Sequence, residues 1–335
     1  MIPGNRIKTL PWLELLMTMA MSAASPLAQA YGAPGSAPMD SPLAPDVTAE
    51  PPGEPPRWNR ALPFLGQRAL DRGYNLPNPY NIGMSLYLGD ELRNLSDLNV
   101  SLNDNPLQDA SFVEFRKTRI KPVAFQYQLG AWLFPFLNVY ALAGYTSGHG
   151  NIDIAIPGAE LMQFLGIGGC GLPAAARPDL CSKTIEGTAH ANYTGYTWGG
   201  GFTAAGAYKK LFFSLPVTYV VADVTQSTTD SETWNIAPRI GWLFQPPRGG
   251  MVTAYVGGTY MKSDVFITGS AVMDTADTII GHDTALNYSI MVQPKEAWNY
   301  FVGAHWMATR TWSFLGEVGF GGSRKNVLMN VFYRF

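Results

Sequence analysis

Charge is scarce in this chain: Asp, Glu, Lys and Arg make up only 14% of its 335 residues, against roughly 25% in ordinary soluble domains. A net charge of −2 gives no basic field to hold a polyanion, so nucleic acid is not an expected partner. Long apolar runs are also missing. Past the first thirty residues nothing approaches the ~20 consecutive apolar residues of a spanning helix, which excludes a helical membrane bundle. Cysteine is limited to Cys170 and Cys181, separated by ten residues that include Gly and Pro. A metal site needs more ligands than gather near them, so neither metal nor cofactor is expected. In an oxidising compartment the two thiols would close one loop as a disulfide.

Aromatics, at 13%, and 35 glycines are plentiful. Together with the low charge they suit a sheet with one face in lipid and the other in water.

The N-terminus has the parts of a secretory signal over residues 1–30: Arg6 and Lys8, an apolar core from Leu15 to Ala24, and Ala28-Gln29-Ala30 at an A-x-A cleavage site. Residues 31–77 form the next unit. Its first thirty residues hold eight prolines between Pro34 and Pro56 and little that could enclose a core, so a linker, or a plug for the domain that follows, is expected. From residue 78 to 335 the pattern is one strand after another. In Lys121 to Phe134, Val123, Phe125, Tyr127 and Leu129 oppose Ala124, Gln126, Gln128 and Gly130. The Trp198-Gly199-Gly200-Gly201 run lacks G-x-G-x-x-G spacing and a following helix, so it is taken as strand glycine allowing curvature or close approach.

The last ten residues read N-V-L-M-N-V-F-Y-R-F. Val327, Met329, Val331, Tyr333 and Phe335 share one apolar face; Asn326, Leu328, Asn330, Phe332 and Arg334 share the mixed one. With the export signal, this resembles the terminal strand of Gram-negative outer-membrane β-barrels, where Val331, Tyr333 and Phe335 would address the chain to the assembly machinery. The resemblance covers residues 78–335 and picks out a class, with no particular family.

Short links near 135–138, 209–211, 246–250 and 309–311 alternate with mostly longer or more polar ones near 90–118, 148–190, 226–232, 266–284 and 322–325. That alternation is what periplasmic turns and outer loops produce. It predicts an all-β fold: a closed antiparallel transmembrane β-barrel of about ten strands in the cell outer membrane. Eight or twelve strands are left open by the ambiguous stretches 90–118 and 284–297.

Three ionisable residues sit inside strands: Arg239, His305 and Glu317. Parity turns Arg239 inward, and a turn at Thr309 to Thr311 would set Glu317 opposite His305 and Phe301 opposite Gly321. The three are expected to form a lumenal polar network. Arg116, Lys117, Arg119 and Lys121 would meet lipopolysaccharide phosphates at the outer rim. Aromatics beside the short turns, among them Trp132, Tyr140, Phe212, Trp242 and Trp306, fit an interfacial girdle. The functional expectation is a narrow pore or a structural, surface-interacting barrel without catalytic chemistry, in contact with outer-membrane lipids. The alternative is a barrel enzyme, protease or lipid-modifying, at the outer rim. Omptin proteases are similar in strand count, but their adjacent acidic pair has no counterpart here. The local candidates are His282-Asp283, Asp104, Asp109, Asp153 and Asp230, and His149 and His190 beside Ser147 and Thr188.

Overall fold

The computed structural model describes residues 57–71, 76, 78–102, 106–224, 231–246, 250–263, 265–273 and 284–335. The expected signal peptide (residues 1–30), most of the proline-rich unit, and Asp104, Asp230 and His282-Asp283 lie outside the described residues. Ten antiparallel strands form a ring. They are β1 (Tyr80–Leu102), β2 (Glu114–Phe134), β3 (Leu137–Pro157), β4 (Thr184–Tyr208) and β5 (Leu211–Val224). Then come β6 (Ser231–Ile236 and Arg239–Phe244), β7 (Met251–Lys262 and Val265–Met273) and β8 (Thr284–Pro294 and Trp298–Met307). The last two are β9 (Trp312–Phe320) and β10 (Arg324–Arg334). Each strand pairs with the next, and β1 pairs with both β2 and β10.

The short turns fall where the sequence places them, but the strands run further at the opposite end. β1 continues to Leu102, β2 begins at Glu114, β3 reaches Pro157 and β4 starts at Thr184. Stretch 90–118 is therefore largely strand, and 148–190 gives its two ends, 148–157 and 184–190, to β3 and β4 while its middle stays loop. Part of 266–284 is strand as well, since Val265–Met273 pairs with Thr284–Pro294. Polar residues on their outer faces hid these extensions, because beyond the membrane the outside of a strand meets water while its apolar residues turn inward.

β8 changes partners halfway. Its second half pairs with β9, whereas its first half passes over the β9–β10 tip and pairs directly with β1. Pro294, without an N–H, marks the break. The tip is held in the notch: Leu92 N–H donates to Ser323 O over 2.7 Å, and Ser323 Oγ donates to Glu296 Oε2 over 3.2 Å. β6 breaks at Ala237-Pro238 for the same reason.

Period-two patterning decides which way the strands face. On β10, Arg324, Asn326, Leu328, Asn330, Phe332 and Arg334 are buried inside, while Met329, Val331, Tyr333 and Phe335 are exposed outside. The outer wall elsewhere carries Ile82, Met84, Leu88, Tyr127, Leu129, Val256, Val302 and Val318, all exposed. Such a wall is tolerable only where the surrounding solvent is itself apolar. Phe335 closes the seam: its N–H donates to Tyr80 O over 3.0 Å, and the two rings stack at 5.9 Å. Helix α1 (Gly66–Asp71) lies at the short-turn end, where Phe64 N–H donates to Leu133 O over 2.8 Å. Helix α2 (Gly158–Phe164) caps the other end. Cys170 and Cys181 form a disulfide in the β3–β4 loop, with Cα atoms 5.4 Å apart.

Candidate functional site: the bore and the outer rim

Inside the ring, side chains fill three levels. At the short-turn end Trp132, Ala205, Phe212, Leu243, Met251 and Met307 form an apolar cluster. Trp132 and Phe212 therefore belong to the bore and not to the girdle, as does Tyr140, whose hydroxyl lies 2.7 Å from Thr218 Oγ1. Parity explains all three. Trp132 shares the face of Gln126 and Gln128, and Phe212 points opposite to the exposed Phe213.

The middle level is polar. Arg239 Nε donates to Glu317 Oε1 over 2.8 Å, and Tyr255 Oη donates to the same oxygen over 2.9 Å. The guanidinium also lies over the rings of Phe301 and Tyr255, at 5.3 and 5.8 Å from their centres. Glu317 stands opposite Gly303, and His305 opposite Leu315. The expected His305–Glu317 pairing is thus corrected by two residues: the turn does fall at Thr309–Thr311, and a turn centred there sets Met307 opposite Ser313 and His305 opposite Leu315, which preserves the inward face but changes the partner. Phe301 accordingly faces Gly319, and it covers Gly257 on the other neighbour, whose added Cβ would lie 2.4 Å from Phe301 Cζ. His305 is buried in the same bore without meeting Glu317. Nearer the loops, Asn299 Nδ2 donates to Asn326 Oδ1 over 2.9 Å, and Arg324 reaches Met261 Sδ at 3.2 Å. The void beside Arg239, Glu317 and Thr218 is about 10 Å³, room for about one water.

At the loop end the bore turns apolar again. Leu98, Val100, Val113, Ile120, Ile152, Ile154, Ile156, Ile267, Ile290 and Val292 form one buried cluster with Leu161 of α2. Burial pushes the Tyr288 phenol in this cap up to about 12. Below the cap, Glu91 pairs with Arg93 and accepts from Tyr87 Oη over 2.6 Å. Sequence reading missed this pair by ending the first strand at Gly89. Continuing the parity of Ser85 and Tyr87 would have turned both inward.

The outer rim carries the four basic candidates. Arg116 pairs with Glu186 at 2.5 Å, and Arg119 holds Asp90 bidentately, with Nε to Oδ1 at 2.6 Å. The Arg119 hydrogen bonds hold the Asp90 carboxyl below its ordinary value of 3.8. Lys117 stands opposite Asp153, and Lys121 opposite His149. Among the described residues neither lysine forms an ion pair. Of the acids considered for rim catalysis, the two within the described residues are hydrogen-bonded: Asp153 accepts from Thr188 Oγ1 over 2.8 Å, and Asp109 accepts from the Ser111 N–H and hydroxyl, each at 2.9 Å. His190 Nδ1 lies 2.8 Å from Asn151 Oδ1. Ser147 and His149 share the outer face of β3, and among the described residues no side-chain hydrogen bond joins them.

An apolar outside and a closed polar inside, on ten strands with short turns at one end, make an outer-membrane β-barrel. No protein-family model matches the chain, and no curated protein matches it. Solved structures with similar strand architecture include the transport unit of the autotransporter AIDA-I from Escherichia coli. It is 11% identical, covers 76% of this chain and 90% of its own, and has a TM-score of 0.32. The outer membrane protein OprG from Pseudomonas aeruginosa is 10% identical, with coverages of 78% and 99% and a TM-score of 0.37. Ail of Yersinia pestis is 8% identical, with coverages of 78% and 100% and a TM-score of 0.23. Likeness this slight leaves the argument to the chain's own geometry.

Proposed function

We propose that this barrel does not conduct and works instead through its outer wall and outer surface, as a structural and surface-contact protein of the outer membrane. One observation carries the reading: the side chains that line the bore are dry. Arg239, His305, Glu317, Asn299 and Thr253 each expose 7% or less of their surface. An aqueous channel would leave such groups hydrated. A barrel this narrow has little more interior than its side chains fill, and here an apolar layer closes each end.

The same reading assigns Arg116, Lys117, Arg119 and Lys121 to the depth of lipopolysaccharide phosphates, with Lys117 and Lys121 carrying the charge that no ion pair among the described residues takes up. It leaves Val331, Tyr333 and Phe335 on the lipid side, where assembly machinery would meet them. No catalytic step is assigned to the bore, whose ionisable groups are held away from any substrate.

Conductance across planar bilayers tests this. Refolded protein, with and without residues 31–77, is expected to give no steady current. Steady current from the full chain would overturn the proposal, and current after truncation alone would show that the N-terminal unit, not the bore's own side chains, makes the seal.

A further inference from the structure

The outer wall holds one polar row that crosses four neighbouring strands and β10. Lys325 stands opposite Asp90. The flanking pairs Leu88–Val123 and Glu91–Ile120 put Asp90 level with Lys121. Lys121 stands opposite His149, and His149 opposite Asn192. One row deeper the wall is Val327, Leu88 and Val123 until it reaches β3 and β4, where Ser147 and Thr194 take the place of apolar residues. Deeper still, Tyr145 and Tyr196 close the wall edge to face, 5.6 Å apart. Short side chains between long ones leave a groove of about 500 Å³ beside Lys121, His149 and Asn192.

We infer that this groove seats the phosphorylated headgroup of a lipid of the surrounding outer leaflet. The inference rests on the membrane orientation proposed above and goes beyond the four-residue basic cluster. Arg116 and Arg119 already spend their charge on Glu186 and Asp90. Lys121 has no such pair among the described residues, and the nearby Asp90 is occupied by Arg119. An ammonium, an imidazole N–H, an amide and the Ser147 hydroxyl therefore face one hollow, the donor set that a phosphate monoester accepts from. Its depth fits too. The groove opens where the apolar band ends, so acyl chains attached to the phosphate would run down over Tyr145 and Tyr196. A soluble phosphate would gain nothing from those rings.

The test uses the full refolded protein in detergent, with native mass spectrometry reading retained lipid. The probes are diphosphoryl lipid A, its dephosphorylated form and inorganic phosphate alone. Wild-type protein is expected to retain the diphosphoryl form. Lys121→Gln with His149→Ala is expected to weaken retention by about tenfold or more, the loss of charge-assisted hydrogen bonds. Lys210→Gln, at the opposite end of the barrel, is the control and should change nothing. Equal retention of both lipid forms, equal binding of inorganic phosphate and lipid A, or retention unaffected by the double variant would each overturn the inference. Heat-modifiable gel mobility and insertion into liposomes are measured on every variant. Protein that fails to insert at all would sink the membrane reading itself, whereas inserted protein without phosphate preference sinks this inference alone.

Discussion

Arg239 on β6 and Glu317 on β9 are separated by 78 residues in sequence, yet they meet inside the bore as a 2.8 Å ion pair that also recruits Tyr255. Both side chains are buried, with 7% and 4% of their surfaces exposed, so each charge depends on the other for solvation. A pair of this kind adds little net stability over an apolar one, but breaking it leaves a stranded charge.

Replacing Glu317 with Ala is therefore expected to cost about 3–5 kcal/mol by stranding Arg239. Heat-modifiable gel mobility should show the folded band lost at a lower temperature. Replacing Arg239 with Met and Glu317 with Leu together should restore most of the loss. Bilayer conductance should stay silent in both, because the apolar layers at either end remain. A conducting variant of unchanged stability would mark the pair as a gate instead.

Gly257 is needed for space. An added Cβ there would lie 2.4 Å from Phe301 Cζ and 2.5 Å from Pro238 O, and the second of these is backbone that cannot swing aside. Gly257→Val is expected to destabilise by about 1–3 kcal/mol through overpacking. Combining it with Phe301→Ala should recover only the part due to the ring.

Asp90 sits above the apolar band and offers a pH signature. Arg119 lowers its folded pKa relative to 3.8. Its contribution to stability is thus complete above that unfolded value and disappears as pH falls through the folded one. Both side chains are substantially exposed, at 46% and 30%, so the contribution should stay below about 1 kcal/mol. Carboxyl chemical shifts should titrate below 3.8 in wild-type protein and move upward in Arg119→Gln. An unmoved midpoint would dismiss the pair.

The Cys170–Cys181 bridge lies in the β3–β4 loop, outside the ring. Removing it should cost on the order of 2–3 kcal/mol of local loop order and leave the barrel's melting unchanged. Limited proteolysis of a Cys170→Ser, Cys181→Ser variant should cut within residues 166–183 while the strands stay intact. Simultaneous loss of the barrel would mean that the loop is part of the core.

Sequence reading succeeded where period two met a difference in solvent. On β10 each outward residue from Met329 to Phe335 was legible because lipid and bore demand opposite polarities. It failed at the loop end, where β1 to β4 extend past the membrane and enclose isoleucines and valines under polar surfaces. There the sign of the alternation reverses: Ile152 and Ile154 point in while Asn151 and Asp153 point out. The Asp97 bulge in β1, with φ at 53°, adds a register shift that no pattern count would reveal. The Trp198–Gly201 glycines were correctly taken as strand, and the reason is now specific: a Cβ on Gly199 or Gly201 would lie 2.1 or 2.2 Å from the carbonyl oxygens of Tyr219 and Val217.

By itself the sequence determined the strand class, the short turns and the inward side of Arg239, His305 and Glu317, since local alternation and turn chemistry act between near neighbours. Only the tertiary structure decided that Glu317 meets Arg239 rather than His305, that β8 leaves β9 for β1, and that an apolar cluster lies at each end of the bore. Those outcomes depend on ring closure and on a two-residue difference in hairpin register, which shifts a partner without changing the face it looks toward.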